Sequence, residues 1–343
     1  MRKIVIHKPG DYRVLKLEEH PDFIPGDDDI IVSVKAAGVN YADIIIRWGL
    51  YESAKRFVGW PITPGFEYAG TVKSTGKNVK KFKVGERVLG VALFNSYASE
   101  VKTSEGFLYH LPESMSFEQG AGFPAVMLTA YHALLQNVVV RTGMTALIHS
   151  AAGGVGSSLV QLCRIKGIKS IGVIGSPHKR ESLSKFGCTH IIDKSSEDLW
   201  KKVEEYAPEG VDLAFDANGV STMKESYKHL ASSGKLFIYG AHSMFPKTGG
   251  KVNWPKLVKD YLRSPRFNPL EMTSENKSII TFNLSFLFNR VDLFSEAMTD
   301  LLKWYEEGKL QAPDVQSFSA VDVGKAHQAL ESGKTVGKIV LTF

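Results

Sequence analysis

The octet "HSAAGGVG" (149–156) carries three glycines among its last four residues. A backbone so bare suits a phosphate approached too closely for side chains, or a tight turn between a strand and a helix. Within it, Ala151-x-Gly153-x-x-Gly156 follows the dinucleotide fingerprint with Ala at the first position. Ala152, Gly153, Gly154, Val155 and Gly156 are therefore the candidate pyrophosphate contacts. An NAD site places an acid about 20 residues beyond the last glycine, where it accepts from the ribose 2′-OH. Here Gly175 stands 19 positions after Gly156, and "GSPHKR" (175–180) holds no carboxylate before Glu181. A 2′-phosphate is matched by cationic donors and repelled by an acid. The stretch favours NADP(H), with Gly175, Ser176 and Lys179 as contacts and Lys194 as a further cation. The plain alternative makes Lys179 and Arg180 exposed residues of a helix start, although such positions prefer acids.

The elements around these residues give them a frame. "TALIHS" (145–150) reads as an apolar strand, the octet as a turn, and "SSLVQLCRIKG" (157–167) as a helix. Leu159, Leu162 and Cys163 mark its apolar face, and Gly167 its stop. Further strands read at "SIGVIG" (170–175), "HIID" (190–193), "VDLAFD" (211–216) and "KLFIYG" (235–240). Ser195, with Asp198 three residues on, predicts a helix start. Five strands alternating with helices predict a doubly wound parallel sheet, with the octet at its first strand-to-helix turn. Residues 1 to about 122 are β-rich instead, with strands expected within "IIVSVKAAGV" (30–39) and "GERVLGVALF" (85–94).

A chain of 343 residues has room for two domains, and 43% hydrophobic with 23% charged content is ordinary for a globular protein. Two cysteines, Cys163 and Cys188, exclude a disulfide framework or a four-thiolate zinc site and fit a reducing compartment. The beginning "MRKIVIHKPG" runs into a strand rather than a leader, and no apolar run nears the roughly 18 residues of a membrane span. A cytoplasmic location is expected. The net charge is +6, and much of it lies in 247–266, where six basic residues face Asp260 alone. Lys256, Lys259 and Arg263 fall at helical spacing. This segment could touch a membrane surface, an acidic partner or RNA, but a solvated helix is the favoured reading.

Taken together, the chain resembles the zinc-independent quinone oxidoreductase branch of the medium-chain dehydrogenase/reductase superfamily. The resemblance rests on "AAGVNYADIIIRWGLY", "TPGFEYAG", "FKVGERV", "FPAVMLTAYHAL", "HSAAGGVG" and "VGKIVLTF". "EGVDLAFD" and "SENKSIITFNLSFLF" bring it nearest to the vesicle amine transport protein-like group. It implies an α/β architecture: a GroES-like β-rich catalytic domain over 1–122 and 290–343, and a Rossmann domain over 123–289. It also implies a nicotinamide in a cleft between the two, and a homodimer.

Zinc members of the superfamily use Cys where this chain has Asn40 and His where it has Phe66; neither replacement ligates zinc. Glu67 is then expected to make a buried structural contact. The resemblance points to Asn40 and Tyr51 as active-site polar residues. Tyr51 could serve a substrate oxygen or merely pack its loop. Many quinone reductases carry a second Tyr at the position of Ile45, so a greasier pocket is expected here. Tyr41 beside Asn40 could compensate, although adjacent residues on a strand face opposite ways. Thr129, Phe282 and Leu284 would flank the nicotinamide, with ordinary core as the alternative for Phe282. Asn218, Gly240 and Ala241 fall at strand C-terminal ends, where open α/β sheets bind ligands. The implied activity is NADPH-dependent hydride transfer to a small hydrophobic quinone or enone. The alternatives are an enoyl or alkenal reductase, with Tyr51 protonating the α-carbon, and a cofactor-binding interaction protein. His149 reads as structural.

Overall fold

The computed structural model describes residues 1–248 and 250–343, so Gly249, in the stretch 242–280, lies outside the described residues. The chain divides into two compact units, one of residues 1–128, 247–251 and 285–343, the other of 129–246 and 252–284. The sequence placed the changes at 122/123 and 289/290, and did not separate 247–251 from its surroundings.

In the first unit a sheet runs in the order Val315–Ser319, Lys338–Thr342, Ile30–Val39, Glu67–Thr75, Arg87–Val91, Leu108–His110, with Glu100–Thr103 also paired to Ile30–Val39. Ile30–Val39 is buried at eight of its ten positions, as an apolar strand flanked on both sides must be. Its end pairs with the C-terminal strand, Val39 opposite Ile339. The chain then turns at Asn40 into the helix Tyr41–Arg47. Tyr41 therefore opens a helix, not the far face of a strand, and its ring meets Trp48 edge-on at 6.4 Å.

The second unit is built on a wholly parallel sheet in the order His190–Asp193, Lys169–Ile174, Thr145–Ile148, Val211–Asp216, Leu230–Ile238, Ser278–Thr281. Six strands stand where the sequence yielded five, the sixth being the short edge strand "SIIT". Leu147, Ile171, Val173, Ile192, Ala214 and Leu236 form its core with Val203 of the helix Leu199–Tyr206. That helix starts later than expected, because Asp198, not Ser195, is its cap, accepting from the Trp200 and Lys201 N–H groups. Ser195 is taken by Asp193, which accepts its N–H at 3.0 Å and its hydroxyl at 2.7 Å. Residues 252–277 hold the helices Trp254–Leu262 and Pro269–Glu275 before the edge strand. Among the described residues no helix is long and apolar enough to cross a membrane.

Candidate functional site

In the second unit, the turn 149–156 joins the strand Thr145–Ile148 to the helix Gly154–Ile165. The one left-handed residue of the turn is Ser150, at φ +53°. Ala151 therefore needs no positive φ, and the missing first glycine of the fingerprint costs nothing in backbone conformation. Gly156 is obligatory for another reason: a Cβ there would lie 2.5 Å from the Ser150 carbonyl oxygen and 2.6 Å from Ala151 Cα. Gly153 is the N-cap and supplies no side chain. The first-turn N–H groups of Gly154, Val155 and Gly156 thus lack intrahelical acceptors, a ready anion cradle.

Asn218 completes this cradle from the end of the strand Val211–Asp216. Its Oδ1 accepts from the Ser150 hydroxyl at 2.9 Å, while its buried Nδ2 has no partner. An orphaned buried donor beside a bare helix start fits a nucleotide's ribose or phosphate oxygens. Asp216 fixes the loop by accepting from the Asn218 and Gly219 N–H groups at 2.8 and 2.9 Å and from Thr222 at 2.7 Å. His149 is fully buried and bonded to Ser226 at 2.8 Å; burial pushes its pKa down to about 4. It is thus neutral and internal. Gly240 and Ala241 lead into His242 and Ser243, whose N–H groups bond the carbonyls of Ala217 and Asn218. The fourth and fifth strand ends are thereby stitched together.

At the end of the strand Lys169–Ile174 sits Gly175. A Cβ built there would meet Lys194 Cε at 3.6 Å, so the lysine arm lies alongside. Ser176 caps the short turn Pro177–Lys179. Arg180 is turned away to the Ile191 carbonyl and the Glu197 carboxylate, at 3.2 and 3.3 Å. Thr129 and His132 share the helix Pro124–Leu135, and Phe282 packs edge-on to the His132 ring at 4.9 Å. Leu284 opens the turn Leu284–Phe286.

The first unit holds the other candidates. Asn40 Nδ2 donates to Glu67 Oε1 at 2.9 Å, and Asn40 Oδ1 accepts from Lys338 Nζ at 2.5 Å. Lys338 also pairs with Glu67 Oε1 at 2.7 Å. Glu67 is wholly buried, and its Oε2 takes the Ala125 N–H at 2.7 Å, at the positive start of the helix Pro124–Leu135. The Asn40 N–H donates to Asp43, which caps the helix start from inside. Sequence reasoning missed Lys338, although a lone cation inside "KIVLT" was the available signal. It also missed the buried chain Asp43–Tyr97–His327–Arg47–Glu331. Tyr51 caps the helix Glu52–Phe57, and its hydroxyl reaches Ser285 at 3.4 Å, which in turn donates to Ser53 at 2.9 Å. Phe66 is buried between the rings of Tyr51 and Phe94, at 5.9 and 5.3 Å. Among the described residues, no three His, Cys, Asp or Glu side chains gather as a metal site.

The family model described as an alcohol dehydrogenase GroES-like domain matches residues 26–155, and one described as a zinc-binding dehydrogenase matches 186–341. A synaptic vesicle membrane protein VAT-1 homolog of Danio rerio is 32% identical over 99% of this chain and 70% of its own length. Human quinone oxidoreductase is 26% identical over 99% of this chain and 97% of its own. Among solved structures, Escherichia coli quinone oxidoreductase complexed with NADPH superposes with a TM-score of 0.86 and 28% identity, covering all of both chains. An α/β chain with a GroES-like unit and a parallel-sheet Rossmann-like unit is common to these proteins and this one. The chain therefore belongs to the medium-chain dehydrogenase/reductase family, a family of NAD(P)-binding oxidoreductases.

Proposed function

We propose that the protein is an NADPH-dependent, zinc-independent reductase that passes hydride to small hydrophobic quinones or activated alkenes. One observation carries this reading: the nucleotide rim is cationic where an NAD site is acidic. The second strand ends on Gly175 with the Lys194 arm beside it, and Ser176 and Lys179 follow. The NADPH bound to the Escherichia coli enzyme is consistent with this rim.

The helix-start N–H groups of 154–156 and Asn218 Nδ2 would hold pyrophosphate and ribose, while Thr129, Phe282, Leu284, Gly240 and Ala241 flank the ring. Bound NADPH supplies the hydride. Asn40 donates to the acceptor oxygen, and the Tyr51 hydroxyl supplies a proton. The acceptor gains one hydride and one proton. An enone takes them at its β- and α-carbons, whereas a quinone ends as quinol, so product analysis distinguishes the two acceptors. Zinc has no place in this chemistry: an amide and a phenyl ring stand at ligand positions, and Lys338 already neutralises Glu67. Fixed hydrogen bonds take over the polarising role.

A second reading, a membrane-surface protein that retains the cofactor, has one observation in its favour. Trp254, Val258, Tyr261 and Leu262 are exposed on the helix Trp254–Leu262, near Lys259 and Arg263. Lys256, expected to share the cationic face, is instead paired with Asp260.

The deciding experiment titrates the apo protein with NADPH and NADH and then adds 1,2-naphthoquinone or an enone. The expected result is tighter NADPH binding with turnover. NADPH binding without turnover across a panel of acceptors would reject the reductase in favour of the membrane reading. Absence of NADPH binding would reject both.

A further inference from the structure

Lys338 is a cation inside a buried strand, only 4% exposed, in a run that is otherwise apolar. A buried ammonium persists only where acceptors surround it. Lys338 finds Glu67 Oε1 at 2.7 Å and Asn40 Oδ1 at 2.5 Å. Two glycines make the room. A Cβ on Gly38 would lie 2.4 Å from Glu67 Oε1, and one on Gly122 would lie 2.8 Å from Lys338 Cγ. The cluster is thus built into two strands, a helix start and their close approach.

An ammonium can only donate and a carboxylate can only accept. With Lys338 at Oδ1 and Glu67 at Nδ2, the Asn40 carboxamide has one allowed orientation. Rotating it by half a turn would set NH₂ against NH₃⁺ and oxygen against carboxylate, forfeiting two charge-assisted bonds. The amide carries two N–H groups and Glu67 consumes one. The other stays on the half-buried side chain for a ligand. The opposite charges of Lys338 and Glu67 cancel, so the amide is oriented without adding net charge to the site.

We propose that Lys338 and Glu67 are positioning residues that lock Asn40 as a hydrogen-bond donor to the acceptor's carbonyl oxygen, an assignment that rests on the reductase reading above. As hydride arrives at a quinone or enone, negative charge grows on that oxygen. A donor already fixed in place stabilises it without reorganisation. Lys338 is too buried to touch the acceptor and works through Asn40.

The test uses the full chain and two readouts. In the apo protein labelled with ¹⁵N-asparagine, the Asn40 side-chain NH₂ pair is identified by its loss in Asn40→Ala. It should be a single pair with well-separated protons, one of them bonded to carboxylate. In Lys338→Met the pair should collapse or double as the amide turns, and Lys338→Arg should restore it. With NADPH and quinone, Lys338→Met should lower kcat by roughly 10- to 100-fold with the KM for NADPH changed less than about twofold. Lys338→Arg should recover part of the loss. Should Lys338→Met fail to fold because Glu67 is stranded, the double variant Lys338→Met/Glu67→Gln removes both charges and is read in the same way. An unchanged Asn40 pair or unchanged kcat in a folded variant overturns the proposal. If the wild-type chain reduces no acceptor, the reductase reading fails and the catalytic half of this proposal falls with it. The NH₂ pair then still decides whether Lys338 and Glu67 orient Asn40.

Discussion

Gly175 does not have a positive φ, and among the described residues beyond its chain neighbours a Cβ there would meet Lys194 Cε alone, at 3.6 Å. A side chain therefore fits there without strain, and Gly175→Asp should fold normally. Its carboxylate would pair with the Lys194 ammonium and repel a 2′-phosphate while accepting from a 2′-OH. NADPH affinity should fall roughly 10- to 100-fold, about 1.4 to 2.8 kcal/mol, with NADH binding gaining a few-fold. Nicotinamide fluorescence titration measures both, and an unaltered NADPH/NADH ratio would show that the phosphate lies elsewhere. Asp43 makes a second case at this scale. It accepts from the Gly65 N–H, the Asn40 N–H and the Tyr97 hydroxyl, yet complete burial pushes its carboxyl up to about 7. In the unfolded chain it titrates near 4. Between these values the folded chain holds a proton that the unfolded chain has released. This group therefore makes the fold progressively less stable as pH rises from about 4 to about 7, by at most roughly 4 kcal/mol, and adds no slope above that. Urea midpoints measured from pH 4 to 7 should decline less in Asp43→Asn than in the wild type. Equal slopes would remove Asp43 from the account.

Whole elements were legible in the sequence where local pattern and tertiary demand coincide. Ile30–Val39, His190–Asp193 and Val211–Asp216 occupy the stretches their apolar runs marked, because buried parallel or central strands leave no other composition. The turn 149–156 was legible for the same reason, a backbone approach that only small residues allow. Other features depend on partners far along the chain. Ser195 and Asp198 are both competent caps, and Asp193 at a strand end decides between them by claiming Ser195. "SIIT" is too short to signal a strand until Leu230–Ile238 offers it an edge. The site divides in the same way. Asn218 was placed by its strand end, but its bond to Ser150 and its orphaned Nδ2 are properties of the folded loop. Asn40 was reached through the resemblance, at the position where zinc members carry Cys; Lys338, which orients it, lies at the other end of the chain and meets it only through the pairing of Ile30–Val39 with Lys338–Thr342. The helix Trp254–Leu262 shows the limit of charge patterns. Its basic spacing was visible, yet Lys256 is consumed within the unit by Asp260 and the Ser243 carbonyl, and the exposed face is largely apolar.

At the scale of the whole molecule, we propose that a second copy docks on one of the two edges of the parallel sheet. Among the described residues Ser278–Thr281 pairs with Leu230–Ile238 alone, so one row of its backbone N–H and C=O groups has no described strand beside it. Its four residues carry no charge and no proline, the devices by which proteins usually guard an edge. Two copies related by a two-fold axis could align these edges antiparallel, each satisfying the other's backbone groups through the same patch of surface. A dimer joined this way would have a mass of about twice the 37.9 kDa chain, which light scattering coupled to size exclusion reads directly. Thr281 is exposed at the end of this strand, so Thr281→Lys should leave the fold intact while adding one like charge from each copy to the seam. The equilibrium should move toward monomer, most strongly at low salt, where the repulsion is least screened. A wild-type monomer at micromolar concentration would refute the edge as an interface, and a dimer indifferent to Thr281→Lys would place the contact on another surface.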